Sequence, residues 1–338
     1  MPRTARRRWT RDFDTEVDGI ALSPDGPLLV HGYDPPAGGK WMDDAIPGKL
    51  TALDRTTGQV LWDSPCEVGY GRGFGAGFGA GGDAIVLGPG TQGHRIVRMS
   101  LATGELLDAR EIFAFDDALV FEDLCFMVSA TRVSAVTTGT LAPKWNHSKE
   151  GERYHWIARE GDRVFVVYSS KASGKQGVFT LNAKTGKQQK TFLEPVQNVI
   201  HAIHAGSGSV SFLLSDLLST FSKETLRDYL IQNIDADLSA GGISLLCLPS
   251  DAEPGAAPRW FETIETGEDE FPDVSISHDS GKLYLVRGAS IEVRDLLSGK
   301  PLGDMTVPGL DERVSWTVGQ GAGALAEETR LSIFEIPD

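Results

Sequence analysis

A single short phrase, repeated along the chain, restricts the fold more than any other feature of the sequence. It reads Asp54-Arg55-Thr56-Thr57-Gly58, then Ser100-Leu101-Ala102-Thr103-Gly104, Asn182-Ala183-Lys184-Thr185-Gly186 and Asp295-Leu296-Leu297-Ser298-Gly299, with a looser Thr137-Thr138-Gly139. Alternating apolar runs flank each copy, as Lys49–Leu53 and Gln59–Trp62 flank the first. The chemistry is that of a hairpin turn: Asp, Asn or Ser accepts from backbone N–H groups a few residues on, and Gly takes the positive φ that reverses the strand. Ahead of each phrase lies a second tight turn, at Ser23–Gly26, Gly81-Gly82, Glu160–Asp162, Gly206–Gly208 and His278–Gly281. Two hairpins per repeat of about 40 residues describe a four-stranded antiparallel blade, the unit of a β-propeller.

With the strands of each blade lettered A to D, the phrases predict blades over residues 17–67, 71–113, 114–149, 153–194, 197–265 and 272–308. Residues 313–337 supply only three further strands. The fourth is expected at the other terminus, over residues 7–14, because Arg7-Arg8-Trp9-Thr10 reads like the D strands that carry Trp62, Trp145 and Trp260. Such pairing closes the ring and removes its free edges. Residues 217–242 read as a helical insertion in blade 5, with Ser222 as N-cap, Leu226, Leu230, Ile234 and Leu238 at i+4 spacing, and Gly241 as C-cap. The expectation is one all-β, seven-bladed propeller domain over residues 1–338; the alternative reads Leu218–Thr225 as a degenerate hairpin and gives eight blades.

Ala52, Asp54, Thr57, Gly58 and Trp62 resemble the repeat signature of the quinoprotein-like (pyrroloquinoline-quinone repeat) propellers, while Ser23-Pro24-Asp25-Gly26 and Ile291–Asp295 resemble WD-repeat propellers. The resemblance implies a fold that hosts enzymes, binders and scaffolds alike. Quinoprotein dehydrogenases of this kind set an adjacent cysteine pair against the cofactor and hold a calcium ion in a cage of oxygens. Here Cys66, Cys125 and Cys247 are never adjacent, and no concentrated set of Asp, Asn and Glu marks such a cage. No cofactor, no metal and no catalytic residue is therefore assigned, and a non-catalytic protein is expected.

The charge balance narrows the partners. With 32 Lys+Arg against 47 Asp+Glu the formal charge is −15. That disfavours nucleic acid and anionic membranes, both of which demand clustered cations, and favours a basic protein partner. Arg6, Arg7 and Arg8 are followed by Asp12, Asp14 and Glu16 rather than by the apolar run of a secretory signal, and no stretch is apolar enough for a membrane span, so a cytoplasmic protein is expected. The run Gly71–Gly82 contains a formal GxGxxG at Gly77, Gly79 and Gly82, yet Ala84–Leu87 after it reads as a strand and not as the helix a dinucleotide site needs. An inner strand with one face stripped of side chains is the expectation.

Candidate binding residues follow from loop length. The A–B and C–D turns of a blade open on one face and the B–C and D–A connections on the other. On the second face the sequence predicts long pieces at Tyr33–Gly48, Gly88–His94, Ser169–Gly177 and Leu217–Gly242, where binding residues concentrate. On the first face only Pro249–Pro258 is elaborated. Tyr33, Trp41, Met42, Asp43, Asp44, Tyr70 and Arg72, with Lys223, Arg227 and Tyr229 of the helical segment, are the side chains suited to a protein interface there. An alternative places a small-molecule-binding or hydrolytic site in the central channel, with His155, His201 and His204 as its candidates.

Overall fold

A computed structural model describes residues 3–23, 26–34, 46–70, 73–196, 199–215, 243–264, 274–287, 290–307, 315–319 and 321–336. Seven antiparallel sheets, six of four strands and one of five, make an all-β, seven-bladed propeller. The chain forms two compact units. One comprises Arg3–Asn146 with Thr306–Asp338, and the other is built on His147–Met305.

The first unit holds blades 1 to 3 and blade 7. Blade 1 runs Glu16–Leu22, Leu28–Tyr33, Gly48–Leu53 and Val60–Cys66; blade 2 runs Gly75–Phe78, Ala84–Gly90, Gly93–Met99 and Leu106–Ile112. Blade 3 runs Asp117–Phe121, Leu124–Ser129, Arg132–Thr137 and Pro143–His147. Blade 7 combines Ser315–Gly319, Ala322–Glu327 and Arg330–Glu335 with the N-terminal strand Arg6–Asp12 as its outer member. Register there pairs Arg7 with Phe334, Trp9 with Ile333 and Thr10 with Ser332, and Arg330 donates to Asp12 Oδ1 at 2.8 Å. The second unit holds blades 4, 5 and 6, whose first strands are Glu152–Glu160, Val199–Gly206 and Val274–Asp279.

Alternation decides the core. The middle strands of a blade send one row of apolar side chains to the preceding blade and one to the next, while outer strands such as Leu106–Ile112 and Pro143–His147 are largely exposed. Between blades 1 and 2, for example, Leu29, Leu50, Ala52 and Trp62 meet Ala84, Val86, Val97 and Met99. The recurrent phrase forms the expected turn. Asp54 Oδ1 accepts from the Thr56 and Thr57 amides at 3.0 and 2.7 Å and from the Thr57 hydroxyl at 2.8 Å. Asn182 repeats this with Lys184 and Thr185, and Asp295 with Ser298.

The same turn locks successive blades together. Trp62 donates Nε1–H to the Leu101 carbonyl at 2.7 Å, Trp260 to Leu296 at 2.9 Å and Trp9 to Arg55 at 3.0 Å. In each case the acceptor is the second residue of the phrase in the following blade, and the indole lies over that phrase's glycine. A Cβ on Gly104 would stand 2.6 Å from the Trp62 ring, on Gly299 2.6 Å from Trp260, and on Gly58 2.8 Å from Trp9.

The glycine run proves to be a first strand, as its sequence context predicts. Cβ atoms on Gly75, Gly77 and Gly79 would meet Ala118, Val120 and Thr138 of blade 3 at 3.0, 2.6 and 3.0 Å, so the bare face admits the neighbouring blade. All three cysteines are free and buried. Two of the predicted long connections are short. Strands reach Gly90 and resume at Gly93 in blade 2, and they reach Ser170 and resume at Gln176 in blade 4. The helical reading of 217–242 lies outside the described residues. Among those described, no helix is long and apolar enough to cross a membrane.

Candidate partner-binding face

Strand polarity carries the ends of the B and D strands and the starts of the A and C strands to one face of each blade. In blade 1 this face presents Glu16, Tyr33 and, just past its last strand, Tyr70. The two tyrosine rings stand 4.8 Å apart, and Tyr33 donates its hydroxyl to Glu16 Oε2 at 3.2 Å. Burial, with Asp18 and Glu16 beside it, pushes the Tyr33 phenol up, so it remains a neutral donor. Tyr33 is buried while Tyr70 is 38% exposed, so Tyr33 backs the Tyr70 ring from below. Beneath them His31 is wholly buried, stacked on Phe74 at 4.6 Å and hydrogen-bonded to the Val68 carbonyl at 3.0 Å.

Blades 2 and 3 place a cleft of about 340 Å³ on the corresponding face of the same unit. His94 enters it from the start of a third strand, Phe113 and Phe115 from the connection between the two blades, and Arg132 from a B–C turn. The Arg132 guanidinium lies 3.7 Å from the Phe113 ring centre, and His94 meets Phe115 edge-on at 5.6 Å. Asp116 adds a carboxylate to the lining. Aromatic floor and charged rim together suit a side chain with an apolar body and a polar end. Sequence reasoning missed this cleft; Phe113-Ala114-Phe115, two aromatics in a connection between blades, was the available signal.

Of the sequence-predicted interface residues, Tyr33 and Tyr70 are brought together, whereas Trp41, Met42, Asp43, Asp44, Arg72, Lys223, Arg227 and Tyr229 lie outside the described residues. The three channel candidates belong to the other unit. His155 shares a hydrogen bond of 2.9 Å with Ser169 Oγ. His155 and His201 each sit at a register shift, in the first strands of blades 4 and 5. His201 is pulled down in pKa by burial. His204 stands against His278 of blade 6, ring centres 5.7 Å apart. Burial takes His204 down to about 4 and His278, with His204 beside it, to about 3, leaving both rings neutral at pH 7.

On the opposite face, the Pro249–Pro258 connection is held firmly within its own unit. Arg163 donates to the Ser250 carbonyl and hydroxyl, and Lys190 reaches the Asp251 and Ala252 carbonyls at 3.0 and 2.8 Å and Glu253 at 2.8 Å.

The comparisons with known proteins agree with this architecture. A PQQ-repeat family model, described as "Outer membrane protein assembly factor BamB", matches residues 47–212, from the third strand of blade 1 into the second strand of blade 5. Among solved structures, BamB from Moraxella catarrhalis covers 98% of this chain and 100% of its own at 11% identity, with a TM-score of 0.50. No curated protein matches the sequence. Turn phrase, indole lock, family model and shared fold together make the chain similar to the PQQ-repeat β-propellers.

Proposed function

We propose that the chain is a non-catalytic, protein-binding scaffold that works through the B–C/D–A face of its blades. The observation that carries this reading is the aromatic cleft of blades 2 and 3, with Arg132 and Asp116 among its lining. The exposed Tyr70 and its Tyr33 support present a second aromatic contact on that face of the same unit. Exposed Tyr and Arg on rigid supports are the residue types that dominate interface energetics. The matching family is described as an assembly factor, which supports a partner-binding role in general. The net charge of −15 supports a basic partner, attracted by long-range steering and oriented at the rim. Trp41, Met42, Asp43 and Asp44 extend the same proposal.

Quantitative affinity capture from host lysate tests it. Tyr70→Ala and Arg132→Ala should each lower recovery of the co-purifying partner by about tenfold, as expected for hot-spot truncations of ~1–2 kcal/mol. Replacing Pro249–Pro258 with a short Gly-containing turn should leave recovery unchanged. Recovery that survives the first two changes and fails on the third would assign the working face to the other side.

A further inference from the structure

The seam between blades 5 and 6 is apolar along most of its width and polar at its inner end. Leu213, Leu245, Trp260, Ile276, Leu283 and Leu285 fill the apolar part. Because Ile276 packs there, His278 two residues on in the same strand also points at blade 5; Ala202 packs from the other side, so His204 points at blade 6. Ser211 pairs directly with His204 across blade 5, and Ser209 follows on the same face. Both ring nitrogens of His278 are closed off from solvent and lack a hydrogen-bond partner, whereas the Ser211 and Ser209 hydroxyls meet the Cys247 thiol. Two buried ring nitrogens left unmet at one end of an otherwise apolar seam are expensive, at about 1–3 kcal/mol each, and call for something to satisfy them.

We propose that His204 and His278 together bind a late first-row transition ion of the Zn²⁺ or Cu²⁺ type. An ion held at about 2.0–2.1 Å from one nitrogen of each ring stands about 3.2 Å from each ring centre, so centres 5.7 Å apart subtend roughly 125° at the metal, within reach of a tetrahedral site. Imidazole is a preferred ligand for such ions, and both rings are neutral and so ready to donate. Among the described residues no third His, Cys, Asp or Glu completes a set, so the remaining positions fall to water, with the Ser211 and Ser209 hydroxyls placed to accept or donate to it. The ion would tie the inner strands of two neighbouring blades.

Calorimetric titration of the EDTA-treated full chain with Zn²⁺ tests the site. One saturable equivalent is expected, weakened at least tenfold in both His204→Gln and His278→Gln. No saturable binding, or binding unchanged in both variants, overturns the proposal. Should a variant fail to fold, electron paramagnetic resonance of the unmutated chain with one equivalent of Cu²⁺ decides. Hyperfine coupling to two imidazole nitrogens is expected, and coupling to none or one refutes the pair.

Discussion

The seam between blades 1 and 2 and the seam between blades 5 and 6 share the same outer half and differ in the inner one. In both, a D-strand indole covers the glycine of the next blade's turn and donates to the carbonyl beside it, Trp62 over Gly104 and Trp260 over Gly299. Inward from that lock, the first seam continues with Ala21, Phe74 and Ala76, whereas the second ends in His204 and His278. The outer lock is written by the repeat and recurs at Gly58, Gly104 and Gly299. Inner-strand positions are thus free to take residues that packing alone would not choose, and such departures mark places where a chain has been bent to a task.

The comparison is broken most severely by removing the indoles. Trp62→Ala and Trp260→Ala should each cost about 3–5 kcal/mol, read as a fall in the urea midpoint. If the lock is the shared element, the two losses should agree within about 1 kcal/mol; a much smaller loss at Trp260 would show that the polar inner end already loosens its seam. Next in size, glycines separate backbone strain from contact. Gly281, at φ 76°, has nothing within 4 Å of a would-be Cβ, so Gly281→Ala should cost only the left-handed backbone penalty of about 1–2 kcal/mol. Gly104, at φ 73°, lies under Trp62, so Gly104→Ala should add about 1–3 kcal/mol of overpacking, measurable as a larger drop in Tm.

The smallest effect concerns pH and compares one turn with another. Hydrogen bonds from Thr57 hold the Asp54 carboxyl below its ordinary 3.8. A carboxylate whose folded pKa is depressed contributes stability above the unfolded value and loses it as pH falls through the lower, folded one. Asn182 makes the same turn without titrating. Asp54→Asn should therefore keep the turn at neutral pH while flattening the acid limb of a urea-midpoint profile below about pH 4. A profile that still parallels the unmutated protein would remove Asp54 from the acid response.

Much of the architecture was legible because turns are local chemistry. Asp54, Asn182 and Asp295 announce their hairpins within five residues, and Trp9 announced a strand that pairs with the other end of the chain. Loop lengths were misread where composition imitates a loop. Gly88-Pro89-Gly90 looks like punctuation, yet Pro89 pairs with His94 and Gly90 with Gly93; Cβ atoms on the two glycines would meet Val68 and Glu67 at 2.7 and 2.8 Å. Ser170–Gly174 is a further copy of the turn phrase, between the second and third strands of blade 4, with the Gly174 amide donating to the Ser170 carbonyl at 2.7 Å. The cleft and the histidine pair were out of reach for another reason. His94 meets Phe115, and His204 meets His278, across blade boundaries, where no local pattern records who will be the neighbour.

The strand Arg6–Asp12 also sets a schedule for synthesis. Its partner lies more than 300 residues later, with Arg330 and Asp12 separated by 318 positions. At about 5–20 residues per second a ribosome needs roughly 16–64 s to deliver that partner, and for that interval the strand waits as an unpaired edge. Arg6, Arg7, Arg8 and Arg11 are what a waiting edge requires, since like charges discourage pairing with other strands or with a second nascent chain. Glu335 and Asp12 then meet Arg8 and Arg330 once the last blade is made. A circular permutant that places this strand directly after Glu335 should fold without that delay.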